Sequence, residues 1–283
     1  MIFLTGVTGT VGAATAAALR AEGAPFRVGV REPGRVQAAS VVPFDFDQPA
    51  SYGAALQGVS AAFLLTPVSE RQLEYTMEFA KAAKAAKVQR IVKLSVVGAE
   101  LEHGIGFQKL HGASERALES SGAALTFVRS TAFMQNFVKH YGVNPAQGGP
   151  FFLPHGSGQV SWVDVADVGA VVARTLLEDR HAGKAYPLTG PRALDDAAVA
   201  ATLSAALSRP VTYVDVPDAA AAEGMAATGM PPWMVAGLLE LHGAIRAGYL
   251  ASVAGGVQDV LGRAPRSFEE YAAQLALETA SAA

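Results

Sequence analysis

Gly6, Gly9 and Gly12 stand three residues apart, directly after the apolar run Ile2-Phe3-Leu4 and directly before an alanine-rich stretch of helical character. A strand that turns on glycine into a helix is a phosphate-binding device. Gly6 permits the tight turn, Gly9 lets the backbone approach a pyrophosphate, and Gly12 lets helix and strand pack closely. The free N–H groups of the helix's first turn then face the phosphates. Thr8, Thr10 and Val11 supply the rest of that cradle. A ligand-free turn needs the same glycines, but their place between a strand and a helix favours the dinucleotide reading.

Such a site is completed downstream. Arg31 ends the run Phe26-Arg27-Val28-Gly29-Val30. Folds selective for NAD place an acid there, on the ribose 2′-hydroxyl. A guanidinium instead clamps a 2′-phosphate and stacks on adenine, so NADP(H) is expected in preference to NAD(H). Glu32 keeps open the plainer reading of Arg31 as a solvated loop residue. Asp45, in Phe44-Asp45-Phe46-Asp47, also has two readings. It lies with Phe46 on the adenine side of the site, touching the exocyclic amine, or it caps a helix near residues 51–56. Leu65-Thr66-Pro67 ends a central strand and is expected to pass the ribose and pyrophosphate, with Pro67 also stopping the strand.

His111 and Glu115 are four residues apart and share one helix face. His111 is positioned to orient a nicotinamide or donate a proton, and Glu115 to hold its tautomer or raise its pKa. The bland alternative is a packing pair. Phe133, Met134 and Asn136 follow the last well-marked strand. Phe133 is expected to flank the nicotinamide and Asn136 to bond substrate, although Met and Phe at this spacing also serve as core. Asp164 and Asp167 read as caps of a helix beginning at residue 165. Trp162 and Trp233 read as packing.

These residues need a scaffold, and the chain supplies one. Apolar runs at 26–30, 41–44, 61–65, 90–94 and 125–128 alternate with helical patterns at 10–22, 70–86 and 109–120. Ser69 before Glu70 reads as a helix N-cap, and Gly23, Gly58 and Gly122 as stops. Alternation of this kind makes an α/β fold of Rossmann type, a doubly wound parallel sheet that binds ligands outside its strand C-termini. Residues 144–158 read as a long loop, and helices are expected at 165–177, 195–207 and near 233–254. The expected division is a cofactor domain at 1–150, with later contributions near 159–190, and a smaller, mainly helical substrate-binding cap at 151–283. Phe151, in the apolar segment 151–155, is expected to close a substrate pocket together with residues 224–249.

Composition excludes several classes. The 283 residues are 51% hydrophobic and 17% charged, which marks a globular chain. A formal net charge of −3 gives no electrostatic footprint for nucleic acid. Cysteine is absent, so disulfides, thiolate zinc sites and a cysteine nucleophile are excluded. No HExxH or comparable spacing organises the six histidines, and no metal is expected. No basic leader or membrane-length apolar run is present. A cytoplasmic monomer or homodimer acting on a small molecule, away from membranes, is expected.

Taken together, the motifs resemble one family. They are Thr5-Gly6-x-x-Gly9-x-x-Gly12, Val30-Arg31-x-Pro33, Phe44-Asp45-Phe46-Asp47-x-Pro49, Ser95, Leu110-His111-x-x-x-Glu115, and Phe127-Val128-Arg129-Ser130-x-x-Phe133-Met134-Gln135-Asn136. Downstream come Val163-Asp164-Val165-x-Asp167, His181-x-Gly183-x-x-Tyr186-x-Leu188-Thr189-Gly190 and Gly262-Arg263-x-Pro265-x-Ser267-Phe268. The chain is similar throughout to the NmrA-like branch of the atypical short-chain dehydrogenase/reductases. That branch includes quinone, triphenylmethane-dye and ergot-alkaloid iminium reductases and NADP-binding redox sensors. The resemblance implies that Ser95 lies near the nicotinamide, as a cofactor contact or catalytic hydroxyl. Many relatives carry proline where this chain has Ser130. More consequentially, the Tyr-x-x-x-Lys pair of most short-chain dehydrogenases occurs nowhere in the chain. Without a placed acid, hydride transfer suits an acceptor that is already electrophilic: a quinone, an activated enone or an iminium. The expected function is an NADPH-dependent reductase of such acceptors. The alternatives are a non-catalytic NADP(H) sensor and a biosynthetic enzyme running a redox-neutral step.

Overall fold

The computed structural model describes residues 1–36 and 40–281, with Arg35 described by its backbone alone. The chain divides into two units. The first comprises Met1–Ser130, Val165–Leu188 and Gly256–Arg263, and the second Thr131–Asp164, Thr189–Gly255 and Ala264–Ala283. The division is therefore not one cut near residue 150. Residues 131–150, read from the sequence as part of the cofactor domain, join the second unit because Met134, Phe137 and Val143 pack into its core.

In the first unit the strands are β1 (Ile2–Leu4), β2 (Phe26–Val30), β3 (Val41–Pro43), β4 (Ala61–Leu64), β5 (Arg90–Val96) and β6 (Ala124–Ser130). The helices between them are α1 (Thr10–Ala21), α2 (Ala50–Leu56), α3 (Gln72–Ala85) and α4 (Gly106–Leu118). Strands buried on both faces need continuous apolar runs, and Phe3, Phe63, Ile91 and Val128 are accordingly fully enclosed. Later in the chain, α6 (Val165–Leu177), β9 (Lys184–Leu188) and α10 (Gly256–Leu261) return to this unit. The sheet has seven strands in the order β3-β2-β1-β4-β5-β6-β9, and every pairing is parallel. The order reverses between β1 and β4, which is where such sheets bind ligands. The expected helix stops Gly23, Gly58 and Gly122 all adopt left-handed backbone. Helix α3 begins later than its sequence signal: Arg71 is the N-cap, and Ser69 Oγ accepts the Arg71 N–H at 3.1 Å.

The second unit contains α5 (Asn136–Lys139), β7 (Gly149–Leu153), β8 (Gln159–Val160), β10 (Leu194–Asp195), α7 (Asp196–Leu207), β11 (Val211–Asp215), α8 (Asp218–Ala227), α9 (Pro232–Arg246) and α11 (Phe268–Ser281). The expected long loop at 144–158 thus carries a strand. Strand β7 pairs in parallel with β11, in a two-stranded sheet whose edges tolerate Pro150. Phe137 anchors the core, meeting Trp162, Phe151 and Phe268 edge-on at 4.8, 5.3 and 5.5 Å. Asp195 caps α7, accepting the Ala198 N–H at 2.8 Å. A buried polar chain crosses this core. His155 Nδ1 lies 2.6 Å from Asp196, and His155 Nε2 lies 2.7 Å from His242 Nδ1 on α9. Burial and the neighbouring His155 push His242 down to about 4. Among the described residues, no helix is long and apolar enough to cross a membrane.

Candidate dinucleotide site and an adjoining buried cluster

The glycine turn sits at the C-terminal end of β1. Thr5, fully buried, staples it to the end of β4: its hydroxyl accepts the Leu65 N–H at 2.8 Å and points its proton towards the Phe63 and Leu65 carbonyls at 3.1 Å. This bond sets Leu65 against the turn. A Cβ on Gly6 would stand 2.7 Å from Leu65 Cδ2, and the Gly6 φ of +68° lies in the region glycine favours. Gly12 is tighter still. A Cβ there would stand 2.1 Å from the Gly6 carbonyl oxygen. Helix α1 has Gly9 as its N-cap, with no side-chain cap and no acid in its first turn. The leading N–H groups of Thr10, Val11 and Gly12 therefore present the helix's positive end to a phosphate. Thr8, Gly9 and Thr10 are exposed, while Val11 and Gly12 are buried against the unit. The residues present fit a dinucleotide pyrophosphate.

Arg31 is exposed directly after β2 and has no hydrogen-bond or ion-pair partner among the described residues. Asp45 does not cap α2, whose N-cap is Pro49. Instead its Oδ1 accepts the Asp47 N–H at 3.0 Å, and Ser51 Oγ ties down its backbone at 3.1 Å. Phe46 packs edge-on against Phe44 at 4.9 Å and near Tyr75 at 5.5 Å. Asp47 bonds Arg71 at 2.5 Å and the Tyr75 hydroxyl at 2.7 Å, joining the loop after β3 to the start of α3. Thr66 is half-buried and Pro67 exposed, just past β4.

At the C-terminal ends of β5 and β6 the structure assembles a cluster that the sequence showed only in part. Ser95 is paired in register with Arg129, and Lys93 with Phe127, so all four share one sheet face. Ser95 is fully buried and donates to Glu115 Oε1 at 2.5 Å. Arg129 grips the same carboxylate through Nε at 3.0 Å and NH2 at 2.6 Å, and reaches Glu100 at 2.7 Å. Glu115 is therefore committed to Ser95 and Arg129 and does not hold the His111 tautomer, as its spacing had suggested. The His111 ring is half-buried, and its Nδ1 is enclosed with no partner among the described residues. Burial, reinforced by the charge of Lys93, lowers His111 to about 3. At neutral pH this ring is uncharged, so His111 is not by itself a store of an acidic proton.

No candidate role attaches to Lys93 or Arg129 in the sequence alone. Lys93 sits mid-strand, completely buried, with Nζ donating to the Leu94 carbonyl at 2.9 Å. Its only sequence signal is a charge inside an otherwise apolar strand. The substrate candidates fall in the second unit. Met134 and Phe151 are fully buried in its core, where packing accounts for them. Phe133 is half-buried and bridges Val163. Asn136 is half-buried and bonds the Tyr141 hydroxyl. Asp164 and Asp167 are ion-paired, with Arg266 at 2.8 Å and Arg263 at 2.7 Å respectively. Trp162 is core, as expected.

The comparisons agree with this architecture. The chain is 35% identical over 277 residues to the NAD(P)H azoreductase of Xenophilus azovorans, covering 96% of each chain. It is 33% identical over 284 residues to the (4-alkanoyl-5-oxo-2,5-dihydrofuran-3-yl)methyl phosphate reductase of Streptomyces griseus, covering 97% of each. The NADPH-dependent quinone oxidoreductase QOR2 of Escherichia coli, solved with NADPH, superposes with a TM-score of 0.84 at 25% identity, over 97% of this chain and 99% of that one. Residues 1–272 match the NmrA-like family. The chain belongs to that NmrA-like family.

Proposed function

We propose that this protein is an NADPH-dependent reductase that passes hydride to a small, planar, apolar electrophile, of the quinone, activated enone, iminium or azo class. The observation that carries the reading is the uncapped first turn of α1, with Gly12 pressed against the Gly6 carbonyl. When bound, the reduced nicotinamide supplies the hydride. The backbone of residues 8–12 holds the pyrophosphate, Arg31 the 2′-phosphate, Asp45 and Phe46 the adenine side, and Leu65, Thr66 and Pro67 the ribose. Two relatives of nearly equal length are named as reductases, which supports reduction over sensing. The missing Tyr-x-x-x-Lys pair supports an acceptor that needs little help from a placed acid.

The nucleotide preference is tested by fluorescence titration of wild type and Arg31→Ala with NADPH and NADH. Loss of one charge-assisted contact is expected to weaken NADPH about 10- to 100-fold and leave NADH nearly unchanged. Equal weakening of both cofactors would remove Arg31 from the 2′-phosphate.

A further inference from the structure

We propose that the buried Asp196–His155–His242 chain is an acid-sensitive latch holding the α8–α9 hairpin to the core of the second unit, closed while the His242 ring is uncharged and released when that ring takes up a proton. The latch needs neither cofactor nor acceptor, and it stands apart from the reduction proposed above.

The hairpin has few other anchors. Helix α8 has no buried residue, and the buried residues of α9 are His242, Ala244 and Ile245, all near its C-terminal end. Alanine buries little surface, so His242 and Ile245 supply most of the hold. Gly158 lets the chain approach the helix there: a Cβ on it would stand 2.7 Å from the Ile245 carbonyl oxygen. Arg246, one turn after His242, donates to the Pro154 carbonyl and pairs with Asp218 of α8 at 2.8 Å. Helix α8 is thus tethered through α9.

The geometry of the chain admits one proton between the two rings. Asp196 Oδ2 lies 2.6 Å from His155 Nδ1 and accepts its N–H. Across the ring, His155 Nε2 faces His242 Nδ1 at 2.7 Å. An enclosed carboxylate needs a cation beside it. With His155 carrying that charge, its Nε2–H donates and the His242 Nδ1 lone pair accepts. A proton added to His242 then leaves two N–H groups, on two like charges, facing each other across that same gap. The bond is lost, and α9 loses its buried polar anchor.

The groups packed around the chain do not relieve this. From β11, the Tyr213 hydroxyl accepts the His155 N–H at 3.3 Å and lies 3.0 Å from Asp215. Burial raises Tyr213, so it stays neutral. The Gly156 N–H at 2.9 Å holds Asp215 below the usual carboxylate range. Tyr141, near Asp196, is pushed up to about 12 by burial and also stays neutral. Asp218 and Arg246 are paired with each other. Burial, then the charges of His155 and Arg246, push His242 itself down to about 4 from an ordinary 6.5, with Asp218 opposing. The sign follows. A released ring takes up its proton near 6.5 and the latched ring only near 4. The hold is complete above that upper value and weakens as pH falls, by up to about tenfold per pH unit.

The test is hydrogen–deuterium exchange of the whole protein at about pH 7 and about pH 5, corrected for intrinsic exchange rates, in wild type, His242→Asn and His242→Leu. The asparagine Oδ1 replaces Nδ1 as an acceptor and takes no proton at either pH. Wild-type protection of the C-terminal half of α9 is expected to fall at least about 10-fold at the lower pH, while that of α11, in the same unit, holds. His242→Asn is expected to keep its protection at both values. His242→Leu, which has no acceptor, is expected to lose protection already at the higher pH. Wild-type α9 protection that does not fall, or that falls together with α11, would overturn the latch, as would a His242→Asn that falls like wild type. Should the variants not fold, an NMR titration of the wild-type His242 ring decides. A midpoint near 4 is expected, and one at the ordinary value would overturn the proposal.

Discussion

Replacing Gly12 with alanine is expected to raise the dissociation constant for NADPH by at least ~100-fold, about 2.7 kcal/mol, and to lower the melting temperature as well. The added methyl would lie 2.1 Å from the Gly6 carbonyl oxygen, and its neighbours on that side are backbone atoms of Gly6 and Val7. Backbone cannot rotate away as a flexible side chain can. The turn must open, and overpacking of this kind costs about 1–3 kcal/mol. Gly9→Ala separates the two effects. Its methyl meets the Gly6 oxygen at 3.4 Å, an ordinary contact, and Gly9 is exposed. That variant is expected to melt like wild type while losing affinity, because only the approach of the pyrophosphate is obstructed. Normal NADPH affinity in Gly12→Ala would show that α1 is not the phosphate seat. Isothermal titration and thermal denaturation of both variants decide it.

Glu115→Ala carries the largest expected stability cost outside the core. The Glu115 side chain is 6% exposed and that of Arg129 is 17%. Removing the carboxylate strands the guanidinium with Glu100, which is half exposed, leaves the buried Ser95 hydroxyl without its acceptor, and takes away the negative charge that opposes the lowering of Lys93. Breaking a buried pair from one side typically costs about 3–5 kcal/mol. Urea denaturation is expected to show a loss in that range. Glu115→Gln, which keeps an acceptor oxygen, should lose less. A loss under about 1 kcal/mol in Glu115→Ala would place the pair with ordinary surface ion pairs.

The sheet was legible because parallel strands buried on both faces read as unbroken apolar runs, and Phe26–Val30 was located to the residue. The glycine turn was legible because its residues are contiguous. What escaped the sequence depends on distance along the chain or on misleading local chemistry. Strand β7 hides among glycines and Pro150, and only its pairing with β11, some sixty residues on, makes it a strand. Helix α8 is an alanine tract with no buried residue, so it offers no apolar periodicity. His111 and Glu115 share a helix face, but the tertiary structure separates their roles: Arg129 captures the acid, while burial, reinforced by the charge of Lys93, keeps the histidine uncharged. The Asp196–His155–His242 chain joins residues 41 and 87 positions apart, which no local motif reports.

The central claim is hydride transfer from NADPH to an electrophilic acceptor. The most direct measurement supplies the protein with NADPH deuterated at nicotinamide C4, on either face, and a quinone or azo acceptor, and reads cofactor absorbance and product mass together. Oxidation of one cofactor per two-electron reduction is expected, with deuterium leaving from one face only and Arg31→Ala losing rate at low NADPH. Tight cofactor binding with no oxidation across quinone, enone, iminium and azo acceptors would contradict it and leave a nucleotide sensor. A product altered in structure but unlabelled, with the cofactor intact, would contradict it in favour of a redox-neutral reaction.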